Sequence, residues 1–346
     1  MSQPQPPPVP LELWREVLEG ALALRRLAPW KWMHDSDQAV FVDATGLPWF
    51  ASILGAARQV YGLALYRGDA GWRLVQRLHA SDESTDMAEI GHEQDALTLW
   101  FGGKNELDEN QRARWQGLGY APRRGERHAW PDIRSHRPGW FPWHPDESEV
   151  RMLAVALPII RRFCEFLRDH PDAFADRGPV ELPVVPVTDA PLTSESLEWR
   201  HWSAPAPAPR PVRLVDEVLL ARLEALPQAA KFEIEVDWFY TSEPVADAGR
   251  PYFPRAIVII RGDGGYCQSM DLVTPADVIE QKLGDALVKA VLQLGARPER
   301  VAVRRAELAS ALAPLAGQLG CAVRQATRLR YVEELQASLA GFIRGR

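Results

Sequence analysis

The hydrophobic pattern between Lys231 and Ala326 changes period several times. Phe232–Tyr240 alternates apolar residues with Glu233, Glu235 and Asp237, the period-2 signature of a strand with one buried face. Arg255–Arg261 holds the β-branched run Ala256-Ile257-Val258-Ile259-Ile260 of a central strand. Gly262-Asp263-Gly264-Gly265 supplies a turn, because Gly and Asp tolerate positive φ, and Tyr266–Val273 reads as the returning strand. Thr274-Pro275-Ala276-Asp277 then predicts a helix start with a cap, a first-turn proline and an acid. Val278, Leu283, Leu287, Val288 and Val291 continue near helical spacing to about Leu294, with Gly295 as the stop. Arg300–Arg304 reads as a strand, Ala306–Gln318 as a helix ended by Gly320, Cys321–Val323 as a last strand, and Leu329–Ile343 as a terminal helix.

Three strands followed by alternating helices and strands predict a mixed sheet whose later strands pair in parallel through crossovers. That order is the one of an RNase H-like α/β fold, assigned here to residues 213–346. Upstream, 11–175 reads as an α+β domain: a helix over Leu11–Leu27, strands at Ala39–Val42, Trp49–Leu54, Tyr61–Tyr66 and Ala96–Phe101, and helices at Leu107–Leu118 and Glu147–His170. Gly46-Leu47-Pro48, Gly55 and Gly68-Asp69-Ala70-Gly71 are read as turns or loops, and Ser81–Glu89 as a polar loop or short helix. The stretch 176–212, with Ala204-Pro205-Ala206-Pro207-Ala208-Pro209, reads as a semi-rigid linker on which Trp199 and Trp202 dock to a domain or meet a partner. Residues 1–10 form a proline-rich, disordered tail.

Composition narrows the function classes. At 346 residues the chain has room for two cores, and its formal charge of −6 argues against a dedicated nucleic-acid binder, leaving nucleic acid possible but not favoured. Cys164, Cys267 and Cys321 lie far apart, as buried thiols in a reducing compartment would. The start lacks the basic-then-apolar pattern of a signal peptide, and the most apolar helix, Met152–Leu167, is interrupted by Pro158, Arg161 and Arg162. A cytosolic protein without membrane contact is expected.

Three stretches carry a resemblance: Pro29–Asp35, Tyr61–Gly68 and Ala129–Trp143, with Gly249-Arg250-Pro251-Tyr252-Phe253-Pro254 and the helix–Pro298–strand layout further on. They resemble an uncharacterised bacterial family that pairs two domains of unknown function. The resemblance spans most of Leu11–Ile343 and implies a domain layout, but no reaction.

Two constellations are candidates for chemistry. An RNase H-like nuclease needs carboxylates on its first strand, first helix and fourth strand to hold two metal ions. Asp237 or Glu235 would be the first-strand acid, Asp277, Glu280 or Asp285 the helical one, and Glu307 the third, because Arg304 and Arg305 stand where the fourth-strand acid belongs. Asp237, Glu280 and Glu307 are thus weak catalytic candidates that would take Mg²⁺ or Mn²⁺. The competing reading, which is preferred, makes the strand acids solubilising and the domain non-catalytic, with no cofactor. The second constellation is Trp130–Trp143. Asp132, Arg134 and His136 share a face in extended backbone, beside Arg137 and between Trp130, Trp140 and Trp143. This is either a ligand-binding wall for an unknown small ligand or protein, or a structural plug with buried Trp140 and Trp143. The eight histidines have no zinc spacing, and neither a phosphate loop nor a nucleophile elbow is present. Arg297, Arg300, Arg304, Arg305, Arg324, Arg328 and Arg330 could form a local anion-binding patch.

Overall fold

The computed structural model describes residues 6–82, 85–123, 125–188, 190–246 and 249–344, with side chains as far as 339. Residues 1–5 of the expected tail, 83 and 84 of the polar loop, 189 of the expected linker and the terminal 345–346 lie outside the described residues. Two compact units form, 1–205 with 248–250, and 206–247 with 251–346.

The first unit contains α1 (Leu11–Leu27), β1 (Ala39–Val42), β2 (Pro48–Leu54), β3 (Gly62–Arg67), α2 (Gly68–His79), α3 (Met87–His92), β4 (Ala96–Gly102), α4 (Glu109–Gly117), β5 (Trp130–His136), α5 (Glu147–Asp169), β6 (Glu181–Val184) and β7 (Glu198–His201). The sheet order is β5-β4-β3-β2-β1-β6-β7, with β1 and β6 parallel and the other pairs antiparallel. Alternate strand residues feed two cores. Phe41, Trp49, Ile53, Leu63 and Leu65 face α1 and α5, whereas Val40, Phe50, Ala64 and Tyr66 face α2. Gly62 is required where β3 meets β4, since a Cβ there would sit 2.0 Å from the Leu99 carbonyl oxygen. α5 opens on a capping box of Asp146 and Glu149 and continues through Pro158.

Two expectations are corrected in this unit. Gly68–Gly71 is the first turn of α2, not a loop: Trp72, Leu74 and Val75 give that helix a buried face, and Gly71 lets its backbone lie against Tyr66. The stretch expected as a linker contributes β6 and β7 to the sheet, anchored by buried Leu182, Val185 and Leu197. Its prolines keep these strands short, so no long alternation betrayed them. Trp199 packs on Phe174 at 5.0 Å, while Trp202 packs edge-on to Phe50 at 5.2 Å and accepts a bond from the Trp72 indole through its carbonyl.

The second unit contains α6 (Glu217–Glu224), β8 (Gln228–Tyr240), β9 (Arg255–Arg261), β10 (Cys267–Val273), α7 (Ile279–Leu294), β11 (Arg297–Val303), α8 (Ala306–Gln318), β12 (Ala322–Gln325) and α9 (Arg330–Arg344). Its sheet is mixed, ordered β10-β9-β8-β11-β12, with β8 antiparallel to β9 and parallel to β11. Ile234, Val236, Ile257 and Ile259 pack under α7 and α8; Phe239, Ala256, Val258 and Ile260 pack on the opposite face with Leu329 and Val332 at α9. β8 is therefore buried on both faces over its second half, not on one as its alternation suggested.

Sequence reasoning missed α6, whose only buried residue is Leu223 and whose Val218 is exposed. It also started α7 too early. Thr274 does not cap the helix; the Asp277 carboxylate instead accepts from the Thr274 amide and hydroxyl, both at 2.8 Å, closing a turn before Ile279. Cys164 and Cys321 are buried, but Cys267 is exposed on the edge strand β10.

Candidate functional site

The acids of β8 are engaged in salt bridges and helix capping. Asp237 is fully buried and its carboxylate meets two guanidinium groups, Arg305 Nη1 on Oδ1 and Arg304 Nε on Oδ2 at 3.2 Å. Arg305 is fixed further by the Trp238 carbonyl at 3.0 Å and by the Trp238 ring, 4.2 Å from its Cζ. Glu235 caps a helix from outside: its Oε2 accepts the Tyr331 and Val332 amides at 2.9 and 3.0 Å, at the start of α9. Burial pushes the Glu235 carboxyl above its ordinary range, opposed by those two amides. Glu233 binds Arg324 at 2.7 Å and Arg300 at 3.2 Å, and the Arg324 hydrogen bond holds its carboxyl low. The expectation of solubilising acids on an exposed face is thus corrected for Glu235 and Asp237, because α9 covers the second face of β8.

The remaining nuclease candidates do not complete a metal site. Glu280 lies in the first turn of α7 and Glu307 is exposed in the first turn of α8. Asp277 is occupied by Thr274, and Asp285 accepts from Gln281 at 3.0 Å. Among the described residues no three His, Cys, Asp or Glu side chains are grouped to hold a metal ion. A two-metal centre needs a surplus of carboxylate to balance four positive charges; Asp237 is already balanced by two arginines, so this residue set does not fit one. The expected anion patch is also spent internally. Arg328 and Arg330 pair with Glu333 and Glu334, and Arg297 donates to the Leu226 and Leu319 carbonyls.

In the first unit, β5 is an edge strand, and Asp132, Arg134 and His136 do share its face. Asp132 Oδ1 accepts from Arg134 Nε at 2.8 Å and from Gln111 Nε2 at 2.6 Å, and Arg134 reaches Asp108 at 2.9 Å. The Gln111 Oε1 accepts the Ile133 amide at 3.0 Å. Asp108 caps α4 through the Gln111 amide, so this network fastens α4 over the sheet edge. His136 shares a 3.1 Å bond with Thr98 Oγ1. Trp130 is buried and lines a recess of about 350 Å³ with Lys104, Tyr120 and Arg123. Trp140 and Trp143 are half-buried, not buried as expected; the Trp143 backbone bridges Ser135 in both directions, at 2.8 and 3.0 Å, which holds the segment by its main chain.

Behind β5 lies a buried charge cluster that sequence reasoning did not assemble. Glu149 Oε1 accepts from Ser135 Oγ at 2.9 Å, Arg67 Nη2 at 3.0 Å and Arg137 Nη2 at 2.8 Å. Arg67 also pairs with Asp95 at 2.6 Å. Arg250, whose short segment groups with the first unit, donates to the Ser135 carbonyl and to Phe141 O at 3.1 Å. Burial lowers the Arg250 guanidinium to about 10 and raises the Asp95 carboxyl, the latter opposed by Arg67 and Arg137. Three cations thus share two carboxylates. The only sequence-level signal was that Arg67, Arg137 and Arg250 belong to or adjoin three stretches of the family resemblance.

Burial, then the positive charge of Arg250 and Arg134, depresses His136 to about 4. Burial also depresses His144 to about 4, against the pull of Asp108 and with Arg114 and Arg134 adding to it. Both imidazoles are neutral in the folded state at neutral pH, and the unfolded chain takes up their protons first, near pH 6.5. Stability is therefore fully present above about pH 6.5 and falls as pH drops toward about 4, by at most on the order of 3 kcal/mol per histidine. Urea midpoints measured from neutral pH down to about 5.5 should fall in the parent, and fall less in His136→Gln and His144→Gln variants.

Similarity to known proteins follows the same division of the chain. Residues 14–182 match a family model described as Domain of unknown function (DUF7309). Residues 219–340 match a second, described as Domain of unknown function (DUF6930). The two matches do not overlap, which gives the chain a two-domain architecture. No curated protein and no solved structure matches it. Among the described residues, no helix is long and apolar enough to cross a membrane.

Proposed function

We propose that this chain is a cytosolic, non-catalytic binding or adaptor protein whose second domain is a degenerate RNase H-like module. The strand order β10-β9-β8-β11-β12, with antiparallel pairs around β8–β10 and parallel pairs from β8 to β12, supports the fold reading. The observation that carries the functional reading is Asp237. This first-strand candidate is fully buried and compensated by Arg304 and Arg305, while Glu235, the other, accepts the amides that open α9. An acid in that state stabilises the sheet and has no charge left for two divalent cations.

The first domain supplies rigid surfaces of the kind a binding module needs. β5 is locked on one side by Asp108, Gln111 and Arg134, and on the other by Glu149 and its arginines. Trp130, Trp140 and Trp143 extend from that frame, and their neighbours Asp132, Arg134, His136 and Arg137 remain the ligand-binding candidates of this segment. The test is cleavage of single-stranded, duplex and RNA–DNA hybrid substrates in millimolar Mn²⁺. The protein is expected to leave all of them intact; cleavage that disappears in Asp237→Asn overturns the proposal in favour of a metal-dependent nuclease.

A further inference from the structure

We propose that the groove around Trp30 and Tyr61 binds single-stranded nucleic acid. Two recesses of about 380 Å³ each lie side by side in the first unit and share Trp30 and Tyr61 as their common wall. Lys31, His34 and Arg58 line one; Arg25, Arg26, Arg127 and His128 line the other. Among the described residues, no carboxylate lines either. Glu126 holds Arg25 at 2.7 Å, but among the described residues no ion pair engages Arg26, Lys31, Arg58 or Arg127, all of which are exposed. In a chain of net charge −6, four uncompensated cations on one groove are a local reversal of sign. Mutual repulsion makes such a cluster unfavourable until a polyanion neutralises it.

The aromatic wall is preorganised. Trp30 lies 5.3 Å from Tyr61 and 5.9 Å from Phe101, and Tyr61 lies 4.9 Å from the His128 ring. Both Trp30 and Tyr61 are half-buried, held by the core with part of each ring at the groove. The backbone around them is unusual as well. Of the four non-glycine residues with positive φ among the described residues, Ala28 (53°) precedes the Pro29-Trp30 turn, Arg58 (60°) lines the first recess and His128 (47°) the second. Left-handed backbone at non-glycine residues is unfavourable and concentrates at binding and catalytic sites. Pro29–Asp35 and Tyr61–Gly68, two stretches of the family resemblance that the second domain's reading leaves unused, meet here.

A ligand matching this surface carries regularly spaced negative charge and flat π faces. Single-stranded nucleic acid has both: bases stack on aromatic rings while phosphates meet Lys and Arg along a groove, with little sequence preference. Cations on both sides of the shared wall favour a strand crossing it over a mononucleotide seated in one recess. A duplex keeps its base faces stacked inside and cannot offer them to Trp30 and Tyr61. The inference uses only the first unit, so it stands or falls separately from the reading of the second.

The experiment is fluorescence anisotropy of a labelled oligothymidylate of about 12 nucleotides with the full chain. Four phosphate contacts predict a log–log salt slope of about −3 for a single strand. Arg26→Glu/Arg127→Glu and Lys31→Glu/Arg58→Glu should each weaken binding about tenfold or more with an unchanged melting temperature, because all four side chains are exposed. Any of four results would overturn the proposal: no anisotropy change, indifference to both charge-reversal pairs, equal affinity for a duplex or a free nucleotide, or equal competition by polyglutamate.

Discussion

Asp237→Ala is expected to destabilise the protein by about 3–5 kcal/mol, the usual consequence of removing one partner from a buried ion pair. The side chain is fully buried, and its loss strands Arg305, itself only 15% exposed, against the Trp238 ring without a counter-charge. The sign separates two roles for the same carboxylate. Acids gathered to bind divalent cations repel one another, so removing one leaves an unliganded protein unchanged or more stable. An acid clamped between arginines does the reverse. Urea unfolding of the full chain reads the difference. The double variant Asp237→Leu/Arg305→Leu should recover much of the loss, because an apolar pair of similar volume often replaces a buried ion pair without penalty. A change below about 1 kcal/mol in the single variant would mean that Asp237 does not hold the sheet.

Glu149→Ala should be comparably severe, about 3–5 kcal/mol, for a related reason. One oxygen accepts from Ser135, Arg67 and Arg137, and the other accepts the Asp146 amide at 3.1 Å in the α5 capping box. Alanine leaves Arg67 and Arg137 to share Asp95 alone, strands the Ser135 hydroxyl proton and opens the helix start. Glu149→Gln keeps an acceptor for the cap but not the charge, so it should cost less, about 1–3 kcal/mol. Equal effects of the two variants in urea unfolding would show that the charge of Glu149 contributes nothing.

These two residues also mark where the sequence was legible. β8, β9, β11 and α8 were readable because period-2 alternation, β-branched runs and helical spacing are local. The arginines that follow β11 stood out in the sequence, and both meet Asp237. β11 pairs in parallel with β8, Val301 opposite Ile234 and Ala302 opposite Glu235, and that register continued by two residues puts Arg304 beside Asp237. What alternation could not convey was that α9 covers the second face of β8, turning Glu235 and Asp237 from surface acids into buried ones. The charge cluster behind β5 was illegible for a different reason. Arg67, Asp95, Ser135, Glu149 and Arg250 come from five separate stretches, and no spacing along the chain foreshadows their meeting. β6 and β7 were hidden by prolines that shorten strands below the length at which alternation shows.

The most direct test of the second domain's role is calorimetric titration of the full chain with Mn²⁺, beside Asp237→Asn. With Asp237 neutralised by Arg304 and Arg305, no saturable micromolar binding that depends on this residue is predicted. Micromolar binding in the parent that is lost in Asp237→Asn would contradict the account and make this carboxylate a metal ligand.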